Sequence, residues 1–242
     1  MALVELRGVS YEVSGNVILS DITLQVDAGE TVVLVGRSGS GKTTALKLMN
    51  GMLFPSRGQV LVEGRPTTEW DPIRLKRRMG YVIQDVGLFP HFTVGENVGL
   101  VPKLEGWTQA DTIRRVDRLL AAVGMPSADF RGRYPRQLSG GQRQRVGVAR
   151  ALAADPPILL FDEPFGALDP VTRLELQHQF LDLRRDFQKT SIFVTHDVRE
   201  ALKLGTRIAL LSHGRLDVVA PPHEFRRSQT DEARAFLACL ED

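Results

Sequence analysis

Thr31-Val32-Val33-Leu34-Val35-Gly36-Arg37-Ser38-Gly39-Ser40-Gly41-Lys42-Thr43 is the most informative stretch of this 242-residue chain. Its first residues form a continuous β-branched run ending at glycine, the pattern of a strand buried on both faces. Gly36 to Thr43 fit G-x-x-x-x-G-K-[ST], whose four fixed positions arise by chance in roughly one chain of this length in a hundred. The motif demands a strand before it and a helix after it. The helix is legible: Ala45, Leu48, Met49 and Met52 fall at helical spacing, and Gly51 offers a stop. The glycines let backbone N–H groups curl around a phosphate, and the helix N-terminus adds its dipole. Lys42 can bridge β- and γ-phosphates, and the Thr43 hydroxyl can ligate magnesium.

Outward from this stretch the chain alternates strand and helix. Upstream, Ile22, Leu24 and Val26 alternate with polar residues, as in a half-buried strand. Downstream, Gln59 to Glu63 and Tyr81 to Gln84 read as short strands. Thr93-x-x-Glu96 is a capping box and Thr108-x-x-Asp111 an acidic relative, with a helix to about Gly124. Pro157 to Phe161 reads as a buried strand. Asp169-Pro170 caps a helix expected to bury Leu176, Phe180, Leu183 and Phe187. Ser191 to Thr195 is the next strand, and Asp197 caps the helix behind it. Ile208–Leu211 and Leu216–Val219 flank a Ser-His-Gly-Arg turn, a hairpin. A terminal helix turns Phe236 and Leu240 inward. This order predicts an α/β fold with a mostly parallel sheet. Ligands in such sheets sit beyond the carboxyl ends of the strands.

Composition narrows the classes. Hydrophobic residues are 43% and charged residues 25%, a globular balance that excludes a largely disordered chain. Thirty-one basic against 29 acidic residues leave +2, no global reason to expect nucleic acid. Cys239 alone makes no internal disulfide and no cysteine-rich metal site, so the chain reads as reduced and cytosolic. No apolar run approaches the ~20 residues of a membrane span, and the start lacks a signal pattern. Locally the balance shifts. Between 112 and 150, nine arginines face only Asp117 and Asp129, which is either a solvated helical face or a docking surface.

Two further segments carry chemistry. Ile158-Leu159-Leu160-Phe161-Asp162-Glu163 is an apolar strand ending in two acids. Asp162 suits magnesium through water, and Glu163 is then free to act as base on an attacking water. Leu138-Ser139-Gly140-Gly141-Gln142 opens a helix with a hydroxyl and free N–H groups, an anion-facing arrangement.

With that pentapeptide the chain resembles the ATP-binding-cassette ATPases, over residues 3 to about 225. The resemblance implies a P-loop NTPase (RecA-like) core with a mostly parallel sheet, an N-terminal antiparallel β part and an inserted helical subdomain. It implies a single nucleotide-binding domain: a core of 1–86 and 157–225, helices over about 87–156 with the signature, and a tail over 226–242. It implies ATP held by Gly36, Arg37, Ser38, Gly39, Ser40, Gly41, Lys42, Thr43 and Thr44. Magnesium would be met by Thr43, Gln84 and Asp162. Glu163, Gln84 and His196 would take catalytic positions. Leu138 to Gln142 would close over the ATP of a second copy in a head-to-tail dimer, with Asp169 lining the partner's site. Tyr11 stands where the family places an adenine-stacking aromatic; Tyr11-Glu12-Val13 is equally a plausible strand with a core tyrosine.

A single cassette without a long coiled coil, a second cassette or fused membrane helices looks most like the ATPase subunit of a bacterial importer. Such a subunit would lie peripherally on the cytoplasmic face of the membrane. Permease subunits would contact the region from Gln84 to Phe92, an apolar, aromatic patch that is otherwise ordinary core. An extracytoplasmic binding protein would take part indirectly, and no nucleic acid is expected. The run from Tyr81 through Trp107, with Thr172–Gln177 and Thr195–Leu202, resembles the quaternary-amine group, which imports glycine betaine, choline and carnitine. Alternatives are an importer cassette for another polar solute, such as an amino acid or polyamine, or a non-transport cassette acting on nucleic acid or ribosomes.

Overall fold

The structure is a computed structural model that describes residues 2–84, 86–166 and 168–240. In chain order its elements are β1 (Ala2–Val13), β2 (Asn16–Asp27), β3 (Thr31–Val35), α1 (Lys42–Met49), β4 (Arg57–Val62), β5 (Arg65–Pro66), α2 (Pro72–Arg77) and β6 (Met79–Val82). Next come α3 (Val94–Leu104), α4 (Gln109–Ala122), α5 (Ser127–Phe130), α6 (Gly140–Leu152), β7 (Ile158–Asp162) and α7 (Pro170–Phe187). The chain closes with β8 (Thr190–Thr195), α8 (Val198–Leu204), β9 (Arg207–Ser212), β10 (Arg215–Ala220), α9 (Pro222–Phe225) and α10 (Asp231–Ala238). Two compact units result, Met1–Lys76 with Lys189–Asp242, and Arg77–Gln188.

The first unit holds an antiparallel sheet in which β1 lies between β2 and β4. Its register pairs Leu6 with Leu24 and Val60, and Val4 with Val26 and Val62, so all six buried side chains share one face. A second set of strands is built on β3, which runs parallel to both β8 and β9. Every residue of β3 is buried, as its β-branched run requires. β10 returns antiparallel to β9. Between them His213 and Gly214 take φ 46° and 74°, the successive left-handed pair of a tight hairpin. α1 buries Ala45, Leu48 and Met49 as expected. Met52 does not join them: the helix caps at Asn50, Gly51 turns with φ 68°, and Met52 is 49% exposed.

The second unit pairs β6 parallel to β7 and surrounds them with α3 to α7. β6 ends at Val82, so Gln84 lies in a turn beyond the strand rather than on it. α7 buries Leu176, Phe180 and Leu183, and Phe180 meets Phe161 edge-on at 5.4 Å. Phe187 is only half-buried; the guanidinium groups of Arg115 and Arg118 cover its ring at 5.8 and 5.6 Å.

The arginine-rich stretch divides: Arg114, Arg118, Arg131, Arg133, Arg136 and Arg143 are exposed, whereas Arg115, Arg145 and Arg150 are half-buried. Arg115 donates to the carbonyls of Leu152 and Ala153, Arg143 to that of Leu138, Arg145 to that of Val123, and Arg150 to those of Val86 and Gly87. These guanidinium groups satisfy helix-end and loop carbonyls that would otherwise lack partners. In α10 it is Ala233 that is fully buried, while Phe236 and Leu240 are half-buried.

Candidate functional site

In the first unit the buried β3 delivers the chain to Gly36. A Cβ at Gly36 would collide with the Leu211 carbonyl oxygen, so only glycine fits this close approach. Gly39 and Gly41 follow with φ 78° and 101°, and the turn opens α1 with no side-chain cap. The Lys42 side chain folds back into this loop and donates from Nζ to the carbonyls of Gly36 and Arg37, each at 2.8 Å. Lys42 is only 5% exposed. Beside it the buried Ser40 hydroxyl has no hydrogen-bond partner. Thr43 and Thr44 are half-buried, and Arg37, Ser38 and Gly39 are exposed. Arg37 Nε lies 2.8 Å from Glu232 on α10.

β8 pairs Thr195 with Val35, so His196 and Gly36 leave adjacent strand ends. His196 is exposed. The turn that carries it is pinned from beneath: the Thr195 hydroxyl donates to the buried Glu200 carboxylate at 2.6 Å, and Asp197 N–H donates to Thr195 Oγ1. Tyr11 is half-buried and pairs across β1–β2 with Leu19, whose side chain occupies the space a Gly41 Cβ would need.

The second unit gathers the remaining candidates. Val82 pairs with Phe161, so the turn holding Gln84 and the acids Asp162 and Glu163 leave one edge together. Asp162 is nearly buried. Glu163 is half-buried, with φ 45°, a left-handed conformation that costs a non-glycine residue about 1–3 kcal/mol. The Tyr81 hydroxyl donates to Asp162 Oδ2 at 3.2 Å. Burial first, and the Asp162 charge second, push the phenol above its ordinary range, so it remains a donor.

Ser139 caps α6: its Oγ accepts from Gln142 N–H at 3.2 Å, and Gln142 Oε1 accepts from Ser139 N–H at 2.9 Å. A Cβ on Gly141 would stand 2.5 Å from Thr172 Cγ2, so α6 and the first turn of α7 need that glycine to approach. This contact brings the pentapeptide beside Asp169, which caps α7 by accepting from Thr172 N–H. That backbone bond holds the Asp169 carboxyl below the usual carboxylate range. Gly140 differs, since a Cβ there would meet nothing nearer than Leu168 Cδ2 at 4.0 Å. Leu138 is buried.

The patch from Gln84 to Phe92 is a bent loop. Asp85 and, further on, Ala167 lie outside the described residues. Arg150 holds the loop by Val86 and Gly87, and the fully buried Asn97 holds its far end. Asn97 accepts from Phe89 N–H and donates to the carbonyls of Phe89, Phe92 and Thr93. Phe89 and Phe92 each meet His91 edge to face and lie tilted against one another outside it. An open groove of about 770 Å³ begins at Phe92 and runs between α3 and α4 past Trp107, Ile113 and Arg131. Sequence reasoning missed Tyr81, Asn97, Arg150, Glu200 and this groove.

Among the described residues no cluster of three His, Cys, Asp or Glu exists. The first unit offers the Thr43 hydroxyl and a loop of N–H groups around the buried Lys42 ammonium, and the second offers the Asp162 carboxylate and the Gln84 amide. That fits magnesium carried with a phosphate ligand, since this ion keeps waters and takes few carboxylates.

Comparison with known proteins agrees with the fold and the motifs. The chain is 48% identical over 214 residues to an osmoprotectant import ATP-binding protein of Salmonella typhimurium, covering 88% of this chain and 56% of that one. It is 47% identical to a glycine betaine/carnitine/choline transport ATP-binding protein of Bacillus subtilis, covering 90% and 57%. Against a glycine betaine uptake system ATP-binding protein of Escherichia coli the identity is 46%, covering 88% and 68%. The chain thus spans little more than half the length of the first two relatives. A solved ATP-binding cassette, dimeric and bound to ADP and phosphate after hydrolysis, superposes with a TM-score of 0.79 at 33% identity, covering 90% of this chain and 98% of that one. The family model described as ABC transporter matches residues 19–166. By its fold, its motifs and these matches, the chain belongs to the ABC transporter family.

Proposed function

We propose that this chain is the ATP-hydrolysing subunit of an importer for quaternary-amine osmoprotectants of the glycine betaine, choline and carnitine class. One observation carries the ATPase part: a buried ammonium, Lys42, held on the carbonyls of its own glycine loop at the end of a buried strand. An ammonium placed within a glycine loop suits a polyphosphate. The relatives' names support the solute class.

In this reading the loop from Gly36 to Thr44 binds the triphosphate and Tyr11 faces the adenine. Thr43, Asp162 and Gln84 would hold magnesium, which would supply positive charge against the developing charge of the phosphates. Glu163 accepts a proton from the attacking water. The water oxygen bonds to the γ-phosphorus as the bond to the β–γ bridging oxygen breaks, leaving ADP and phosphate. His196 contacts the γ-phosphate. Positioning and charge, rather than a covalent intermediate, lower the barrier. Ser139 to Gln142 close over the ATP of a second copy; the space at Gly140 supports this, because among the described residues nothing comes nearer to a Cβ there than Leu168 Cδ2 at 4.0 Å. Permease subunits dock on the loop from Gln84 to Phe92, with residues 87–156 as the helical subdomain that receives them. Among the described residues no helix is long and apolar enough to cross a membrane, so membrane attachment runs through that partner on the cytoplasmic face.

The test is hydrolysis by the purified chain. Glu163→Gln should bind ATP as the wild type does and hydrolyse it about 10²- to 10⁴-fold more slowly, the usual worth of a general base. Wild-type rates in this variant remove Glu163 from the chemistry. Co-purification of a polytopic membrane protein from native membranes, followed by betaine uptake on reconstitution, tests the importer part; only soluble partners would overturn it.

A further inference from the structure

Tyr81 has no chemical role assigned by the sequence, yet the strand register aims it at a residue that has one. β6 pairs Tyr81 with Leu160 on β7. Side chains on a strand return to the same face every second residue, so Asp162 shares the face of Leu160 and of Tyr81. The phenol reaches one step along that face and donates to Asp162 Oδ2 at 3.2 Å. A carboxylate's terminal torsion is broad and twofold. A donor fixed on the neighbouring strand favours one orientation of the Asp162 carboxylate. The tyrosine is itself half-buried on a strand whose neighbours are Met79, Gly80 and the buried Val82. Gly80 lets α6 pack against that strand, since any Cβ there would strike the Ala151 carbonyl. The donor therefore sits on a rigid element, which is what second-layer positioning of a metal ligand needs.

We propose that Tyr81 is a positioning residue for the magnesium carboxylate: its hydroxyl orients Asp162 for metal-dependent nucleotide binding. The proposal rests on the ATPase reading given above. Phenylalanine keeps the ring and removes only the donor, so Tyr81→Phe isolates the hydroxyl.

The experiment uses the full chain as wild type, Tyr81→Phe, Asp162→Asn and the double variant. ATP affinity is measured by calorimetry in EDTA and across a magnesium titration, with denaturation midpoints as a check on folding. Tyr81→Phe should leave the affinity in EDTA unchanged and raise the magnesium concentration for half-maximal enhancement about tenfold, the low end for loss of an outer-layer partner. In the Asp162→Asn background the same change should add nothing, because the carboxylate it orients is gone. A magnesium titration of Tyr81→Phe that superimposes on the wild type overturns the proposal. So does an equal loss of affinity in EDTA, or an undiminished effect in the Asp162→Asn background; either marks Tyr81 as packing alone. A wild-type chain that binds no ATP at all is a different result, one that removes the ATPase reading and this proposal with it.

Discussion

Gly140 and Gly141 are neighbours in one motif with different physics. Gly141 faces Thr172 at 2.5 Å from where a Cβ would stand, and at Gly140 nothing among the described residues comes nearer than Leu168 Cδ2 at 4.0 Å. Gly141→Ala should therefore cost about 1–3 kcal/mol of stability through overpacking between α6 and α7. Gly140→Ala should hold or raise stability, since alanine suits a helix better than glycine. It should nonetheless weaken ATP-driven self-association, measured in the Glu163→Gln background by light scattering. If both substitutions destabilise equally in urea titrations, the distinction fails. This difference marks what was legible at the scale of residues. The spacing of Gly36, Gly41, Lys42 and Thr43 is a pattern, so it could be read without coordinates. Tyr81, Asn97, Arg150 and Glu200 act through a partner distant in sequence, and no spacing announces them. The arginine surplus gave notice of Arg150, but not that it would hold Val86 and Gly87 rather than face solvent.

Elements were legible where capping chemistry is local. Thr93 receives Glu96 N–H, and the Glu96 carboxylate receives Thr93 N–H at 2.7 Å, a complete capping box at the start of α3. The strand ends were less so: β6 stops at Val82, two residues short of expectation, and Met52 lies past a helix that caps at Asn50. Apolar spacing continues through such ends; the backbone stops where its hydrogen-bond partner stops. The box also predicts a pH effect. The bonds from Thr93 hold the Glu96 carboxyl below the usual glutamate range. A lowered value means that the carboxylate adds stability above its unfolded pKa of about 4.3, and that this stability is lost as pH falls through the folded value. Glu96→Ala should therefore be less stable than wild type at pH 7, and the gap should close below about pH 4. A gap that persists in acid would assign the effect to helix propensity or packing instead. Thr93→Ala removes the other half of the box and should cost about 1 kcal/mol.

At the scale of the whole molecule, the groups proposed to hold phosphate and the acids proposed to act on it belong to different compact units. Gly36 to Thr44 and His196 lie in the first; Gln84, Asp162, Glu163 and the signature lie in the second. Binding and hydrolysis should accordingly separate by variant. A ligand present at 100 times its Kd stabilises a fold by about 2.7 kcal/mol, which for a chain of this size is a shift of roughly 5–10 °C. Wild type and Glu163→Gln should both show that shift with magnesium and ATP in a thermal melt. Lys42→Ala should show little of it, because the ammonium that neutralises the phosphates is gone. Its melting point without ATP is the control, since Lys42 also hydrogen-bonds within its own loop. An unliganded Lys42→Ala that unfolds far below the wild type would make Lys42 a structural brace, and the loss of the ATP shift could no longer be read as lost binding. If Lys42→Ala keeps the full shift, the phosphates are held elsewhere, and the glycine loop is a turn rather than a site.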